Sequence, residues 1–250
     1  MFAPGDGIVQ FTVRNGAEAK IGIATGPFTY YLDHIQLDPS VREGMRVAAG
    51  QALGLTGTIA YGIDLGVINN QITVPFANPA RYAAESLHGD AALSYFEEPL
   101  RSQLYALVST IGPNKDGTFH YDVDGRLAGN WFLEGLAPAD STSPAAWAQH
   151  LAFVYDNYDP TAIRVSIGGT LALVGAFAVQ AGAIDPRDVS IASGRISYGL
   201  FLTGGPGGAN GPRLGSMIVQ MIDDRRVRAE VVADPSVDAA FTSASRIYVR

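Results

Sequence analysis

Between residues 7 and 75 the chain runs in short apolar stretches broken by Gly, Pro, Asn and Asp. Stretches this short, rich in β-branched and aromatic residues, predict strands rather than helices. They fall at residues 7–13, 19–24, 29–36, 46–48, 52–56, 63–69 and 72–74. Asn78-Pro79 then opens a run of good helix formers, which predicts a helix over 80–87 with Pro79 in its first turn. From residue 104 short strands recur, at 104–111, 119–123, 126–134, 151–155, 162–167, 171–179, 194–200, 216–222, 227–232 and 246–249. Polar turns punctuate them at Asn114-Lys115-Asp116-Gly117, Asp124-Gly125 and Asp223-Asp224. A short helix is expected at 144–150, where Ser143 is placed to cap and Pro144 suits the first position.

This pattern predicts a mainly β, all-β protein in two domains. Residues 1–88 form a β domain of sandwich type, residues 89–103 a connector, and residues 104–250 an antiparallel β-barrel or sandwich.

Composition narrows the chemistry. The 250 residues are 47% hydrophobic and 16% charged, enough apolar surface to offset the ordering entropy of a folded chain. Lys plus Arg is 17 against 24 Asp plus Glu, a net charge of -7, which argues against a nucleic-acid partner. No apolar run is long enough to span a membrane. With no cysteine, disulfides, thiol nucleophiles and thiolate metal sites are excluded together. Met1-Phe2-Ala3-Pro4-Gly5-Asp6 reads as a turn feeding a strand. That opening suits a chain that has lost upstream residues and carries no signal segment of its own.

Three blocks carry a family resemblance. Ala3-Pro4-Gly5-Asp6-Gly7-Ile8-Val9, Asp33-His34-Ile35, and the stretch from Val41 through Gly44, Val47 and Gly50-Gln51-Ala52-Leu53-Gly54 resemble the lysostaphin-type zinc endopeptidases, which cut peptidoglycan cross-bridges. The resemblance covers about residues 3–82, and implies a lysostaphin-like β-sandwich of the duplicated-hybrid-motif kind. It also implies where zinc would be held: by a His and an Asp upstream of the Ala-Pro block, and by the last His of an H-x-H motif. No such upstream segment is present, and the H-x-H position falls on Asp64-Leu65-Gly66. Gly66 has no side chain to ligate. A zinc hydrolase needs three protein ligands and an open position, so a degenerate site with no metal and no other cofactor is expected. His34 matches a catalytic position of the family, and Asp64 is its candidate partner.

In the second half, Gly129-Asn130-Trp131 resembles the lipocalin signature, whose Trp closes one end of a β-barrel. Trp131, Tyr155 and Asp156 are the candidate ligand-binding residues there. The other chemical motifs fall away. Asp122-Val123-Asp124-Gly125 lacks the later oxygen ligands of a calcium loop and reads as a turn. The glycine-rich stretch 204–211 runs into Pro212-Arg213 rather than the Lys-Ser/Thr of a phosphate loop, so a hairpin loop is expected. No Gly-x-Ser-x-Gly is present.

The expected function is a non-catalytic, peptidase-like binding protein of the bacterial envelope or exterior, periplasmic or extracellular. Its partner would be a cell-wall glycan or peptide, or a small molecule. A hydrolase with a relocated or metal-dependent site is the second reading, and a carrier of a small hydrophobic ligand in the barrel is the third. An open edge on the first sheet is expected to be covered by later residues, by the other domain or by a second copy of the chain.

Overall fold

The computed structural model describes residues 1–59, 62–203, 211–233 and 240–250. It divides into two compact units, Met1–Val74 with Ala83–Leu107, and Pro75–Tyr82 with Val108–Arg250. The protein is mostly β, as the hydrophobic pattern requires. Residues 204–210 of the glycine-rich stretch lie outside the described residues.

The first unit is a seven-stranded sheet. Its strands are β1 (Gly7–Asn15), β2 (Glu18–Thr25), β3 (Phe28–Leu37), β4 (Arg46–Val47), β5 (Gly54–Thr56), β6 (Asp64–Asn69) and β7 (Gly89–Asp90). The order is β4-β1-β2-β3-β6-β7, with β5 also paired to β3, and every pairing is antiparallel. Alternation puts Ile21, Ile23, Leu32, Ile35 and Val67 on one face. Ala3, Val41, Val47 and Leu53, from the glycine-punctuated stretch, cover that face and complete the core. The opposite face carries Phe11, Lys20, Tyr31, Asp33 and Asp64 and holds the candidate site. β7 pairs with β6, so residues after Asn69 cover that edge. On the other side β4 pairs with Gly7 and Ile8 of β1, Val9 exchanges backbone bonds with Gly44 and Met45, and Glu43 accepts the Thr12 amide at 2.9 Å, which covers part of that edge.

The second unit contains a closed barrel of eight strands. They are β8 (Gly129–Leu133), β9 (His150–Tyr155), β10 (Ile163–Ile167), β11 (Gly175–Val179), β12 (Arg195–Phe201), β13 (Arg213–Asp223), β14 (Arg226–Val232) and β15 (Arg246–Val249). Each is antiparallel to the next in sequence, and β15 pairs back to β8, which removes every edge. Inward-facing Trp131, Phe153, Val165, Phe177, Tyr198, Met217 and Tyr248 join one apolar cluster.

Several expected elements take another form. Residues 104–111 are not a strand: helix α2 (Leu100–Leu107) takes their first half. Glu98 accepts the Ser102 hydroxyl at 2.6 Å and its amide at 3.2 Å, capping a first turn whose side chains form helices as readily as strands. Residues 119–123 are also not a strand. Asp122 takes the amides of Ala77 and Asn130 at 2.9 and 2.8 Å, so this segment crosses the start of β8 instead of pairing along it. The run 171–179 pairs only from Gly175 on, while Leu171 and Leu173 fold onto the barrel core. Residues 72–74 form no strand; Val74 donates one amide to Leu87. The helix expected over 80–87 splits at Tyr82 and Ala83, both extended, into a 3-10 turn Pro79–Arg81 and helix α1 (Ala84–Leu87). The helix expected at 144–150 is a 3-10 turn, Pro144–Gln149, with Ser143 accepting the Ala145 amide as anticipated.

Candidate functional site

The outer face of the first sheet is set by register. Phe11 pairs with Gly22, Gly22 with Tyr31, and Tyr31 with Gly66. Aromatic and glycine therefore alternate across four strands in one row. The Phe11 ring lies over Gly22, and the Tyr31 ring lies over Gly66 so closely that a Cβ at either glycine would land on the ring. The next row carries charge, with Val13 opposite Lys20 and Asp33 opposite Asp64.

His34 reaches this face through a break in the strand. Its φ is 60°, a left-handed conformation that a non-glycine residue adopts at a cost of about 1–3 kcal/mol. Local bonds hold it there. The His34 amide donates to Asp33 Oδ1 at 2.8 Å, and its carbonyl accepts the Gly57 amide at 2.8 Å. The register of β2 against β3 shifts between Ala19 and Ile21 at the same level. An irregularity of this kind re-aims a side chain. Here it brings His34 Nδ1 to 3.0 Å from Glu18 Oε2 and Nε2 to 3.7 Å from Asp64 Oδ2.

Glu18 is buried, 7% exposed, and its other oxygen accepts the Ile59 amide at 2.7 Å. The hydrogen bond that the imidazole donates to the Glu18 carboxylate raises the His34 pKa above its ordinary value. Desolvation opposes this, and the Asp33, Asp64 and Glu18 charges add to it. The result is an oriented, readily protonated imidazole, 41% exposed at its side chain, beside the still more exposed Asp64.

Lys20 completes the cluster. Its Nζ lies 2.6 Å from Glu85, 3.9 Å from Asp33 and 4.2 Å from the Tyr31 ring centroid. Exposed pairs of this kind contribute about 0.2–1 kcal/mol, but they put a fixed positive charge among the carboxylates. Burial raises the Tyr31 pKa, and the Lys20 charge opposes that rise.

Zinc does not fit these residues. The space that a side chain at position 66 would enter is filled by Tyr31. Among the described residues no group of three or more His, Asp or Glu side chains is arranged to hold a metal. Neither register nor charge at Glu18, Lys20 and Tyr31 is visible in a linear motif; only the strand pairing brings them to His34.

The ligand-binding candidates of the second unit lie elsewhere. Trp131 is fully buried, donates its indole N–H to the Leu127 carbonyl at 2.8 Å, and lies 4.0 Å from the Arg250 guanidinium. Arg250, 7% exposed, donates to the carbonyls of Val123, Leu127, Ala128 and Asn130. Burial lowers its pKa to about 10. Gly129 has φ 113°, and a Cβ there would strike the Asp122 backbone. Gly129, Trp131 and Arg250 thus bind the crossing segment to the end of the barrel.

Tyr155 is buried, bonds Asp185 through its hydroxyl and stacks under Arg187 at 4.1 Å. Burial and that carboxylate push its pKa far up. Asp156 follows it, accepting from Arg164 Nε and Nη2 at 3.0 and 2.6 Å and from the amides of Tyr158 and Asp159. Tyr155 and Asp156 are neighbours in the chain, and no described contact joins either to Trp131.

No family model matches the sequence. No curated protein matches it either. A solution NMR structure of lysostaphin aligns over 100% of this chain and 74% of its own, with 15% identity and a TM-score of 0.26. A likeness of that size carries no argument about function. No helix among the described residues is long and apolar enough to cross a membrane.

Proposed function

We propose that the first unit is a peptidase-like module that binds without cutting, recognising cell-wall peptide or glycan on its outer sheet face in the envelope or outside the cell. The observation that carries this reading is Tyr31 lying over Gly66. In the motif resemblance, position 66 is where the last metal ligand would stand, and here an aromatic ring occupies its space. Loss of the ligand is matched by a repacked surface rather than by a bare hole. Partly exposed Phe11 and Tyr31 rings supply a stacking surface, and Asp64, Glu85 and His34 supply polar contacts around it.

Co-sedimentation with purified peptidoglycan sacculi tests this reading. The wild-type chain should pellet with sacculi and release no soluble fragments, and Tyr31→Ala with Asp64→Asn should stay in solution. A wild-type chain that remains in the supernatant would end the cell-wall reading.

The Glu18–His34 pair favours one second reading, a metal-free hydrolase. A buried carboxylate that orients an exposed imidazole is half of a general-base arrangement. It predicts soluble products from sacculi that vanish in His34→Gln. The carrier reading has no such support: the Trp131 side chain is fully buried, bonded to the Leu127 carbonyl and set against Arg250.

A further inference from the structure

A second feature lies in the other unit, on the outside of the barrel. Gln220, Arg228 and Ile247 stand side by side in register on β13, β14 and β15. Their chain neighbours Met221, Val227 and Tyr248 belong to the core, so these three side chains point outward. Two walls flank this floor. One is the 3-10 turn Ile191–Ser193, which lies against β13. The other is the turn at residues 242–245, where the Ser245 hydroxyl accepts from Arg228 Nε at 2.9 Å. Between them is an open trough of about 660 Å³, within the ~300–1,000 Å³ usual for small-molecule sites.

Both walls are pinned. In the first, the Ser190 hydroxyl accepts the Ser193 amide, and the Ser193 hydroxyl accepts the Ser190 amide at 3.0 Å. In the second, the buried Glu230 carboxylate accepts the Thr242 amide at 2.7 Å and the Thr242 hydroxyl. A trough already held in shape has less to order when a ligand enters.

The lining offers two kinds of surface. Ile191 and Ile222 are exposed and Ile247 is half-buried, which leaves an apolar strip against water. Arg228 supplies the charge. Its guanidinium carbon lies 4.5 Å from the Phe241 ring centroid, and among the described residues no carboxylate pairs with it. Glu230, two positions along the same face of β14, is taken up by Thr242. With Nε committed to Ser245, the Nη1/Nη2 end of the fork remains, and that end suits a two-oxygen anion. The Ser243 side of the turn lines the same trough. Ile247 is directly opposite Arg228, with Cβ atoms about 5 Å apart in such a pair. One small molecule therefore spans both the cation and the apolar strip.

We propose that this trough binds a small carboxylic acid with an apolar body. The carboxylate meets Arg228, and the body lies along Ile191, Ile222 and Ile247. The site is on the outer wall of the barrel, separate from the sheet face of the first unit, and does not depend on the reading given for that face.

The test follows the backbone amides of Gln220, Ser243 and Ile247 in the full chain by 15N NMR while octanoate is added at pH 7 and constant ionic strength. Acetate and octanol are the controls, one with the charge alone and one with the chain alone. The three amides should shift and saturate with octanoate, and acetate and octanol should each bind at least about tenfold more weakly. Arg228→Gln should weaken octanoate binding by about tenfold or more. Ile222→Asn, at an exposed position that leaves the fold intact, should weaken it several-fold, with an unchanged circular dichroism spectrum. If octanoate leaves these amides unmoved, or binds Arg228→Gln as tightly as wild type, the proposal is wrong. It is equally wrong if octanol matches octanoate, which would make the trough an apolar patch only, or if acetate does, which would make it a bare charge.

Discussion

In the first unit Lys20, Asp33, His34, Asp64 and Glu85 meet on a face that stays open to water, whereas the second unit turns its strongest charges inward against fixed partners. Arg250 goes to four main-chain carbonyls and an indole ring, and Arg164 goes to Asp156. Both units are antiparallel β structures built from the same alternating pattern. The difference lies in what the polar residues are used for. On an open sheet, charge costs little to keep and remains free to meet a ligand. At the end of a closed barrel, Arg250 is held by several bonds at once, which offset the cost of burying its charge, and it then acts as a fastening.

The largest effects should come from breaking the fastening. Trp131→Ala removes the largest fully buried side chain of the barrel and should cost about 3–5 kcal/mol, read from urea unfolding followed by circular dichroism. Gly129→Ala should cost about 1–3 kcal/mol by the same measurement, because a side chain at φ 113° is strained and meets the Asp122 backbone. Loss of less than about 0.5 kcal/mol in both variants would mean that the crossing segment is not held as described.

A smaller effect distinguishes the two units by sign. His34 has a raised pKa, so the stability it contributes is full below the unfolded value of about 6.5 and is lost as pH rises through the folded value. His150 has a lowered pKa, chiefly through desolvation, with a hydrogen bond to the Ser141 backbone opposing it. Its unfolded form takes up a proton first, so its contribution is present above about pH 6.5 and is lost as pH falls towards the folded value. His34→Gln should flatten the alkaline limb of a stability-against-pH curve, and His150→Gln the acid limb. Titration of the two imidazoles by NMR gives the same answer directly, and Glu18→Gln should bring the His34 pKa down. Two imidazoles titrating together would erase the contrast.

The mildest change is Gly66→Ala. The Tyr31 contact is with the outer end of a side chain that can swing aside, so the cost should be within about 1 kcal/mol. A much larger loss would show that the ring is locked in place.

Much of this architecture is legible in the sequence. The long alternating runs became β1 to β3, β6, β9, β10 and β12 to β15, because each has one face to bury and period-2 alternation states which. The errors fall where the chain lies against a strand without pairing to it. Residues 119–123 alternate like a strand, but the Asp122 carboxylate claims the amides of Ala77 and Asn130 and pulls the segment across the barrel end. Residues 104–107 are equally at home in a helix, and Glu98 decides between the two by capping.

The candidate site was legible only in part. His34, Asp64 and Gly66 stand out in the motifs that carry the resemblance. The lie of the Tyr31 ring over Gly66, and the pairing of His34 with Glu18, depend on strand register and on a bulge at His34, which no local pattern reports.

The proposed absence of a metal site in the first unit rests on Tyr31, whose ring fills the space beside Gly66. Equilibrium dialysis against zinc, followed by elemental analysis of the full chain, tests it most directly. The wild type should retain no stoichiometric zinc, and neither His34→Gln nor Asp64→Asn should change that. One zinc per chain, lost in either variant, would contradict the account and return the site to metal chemistry.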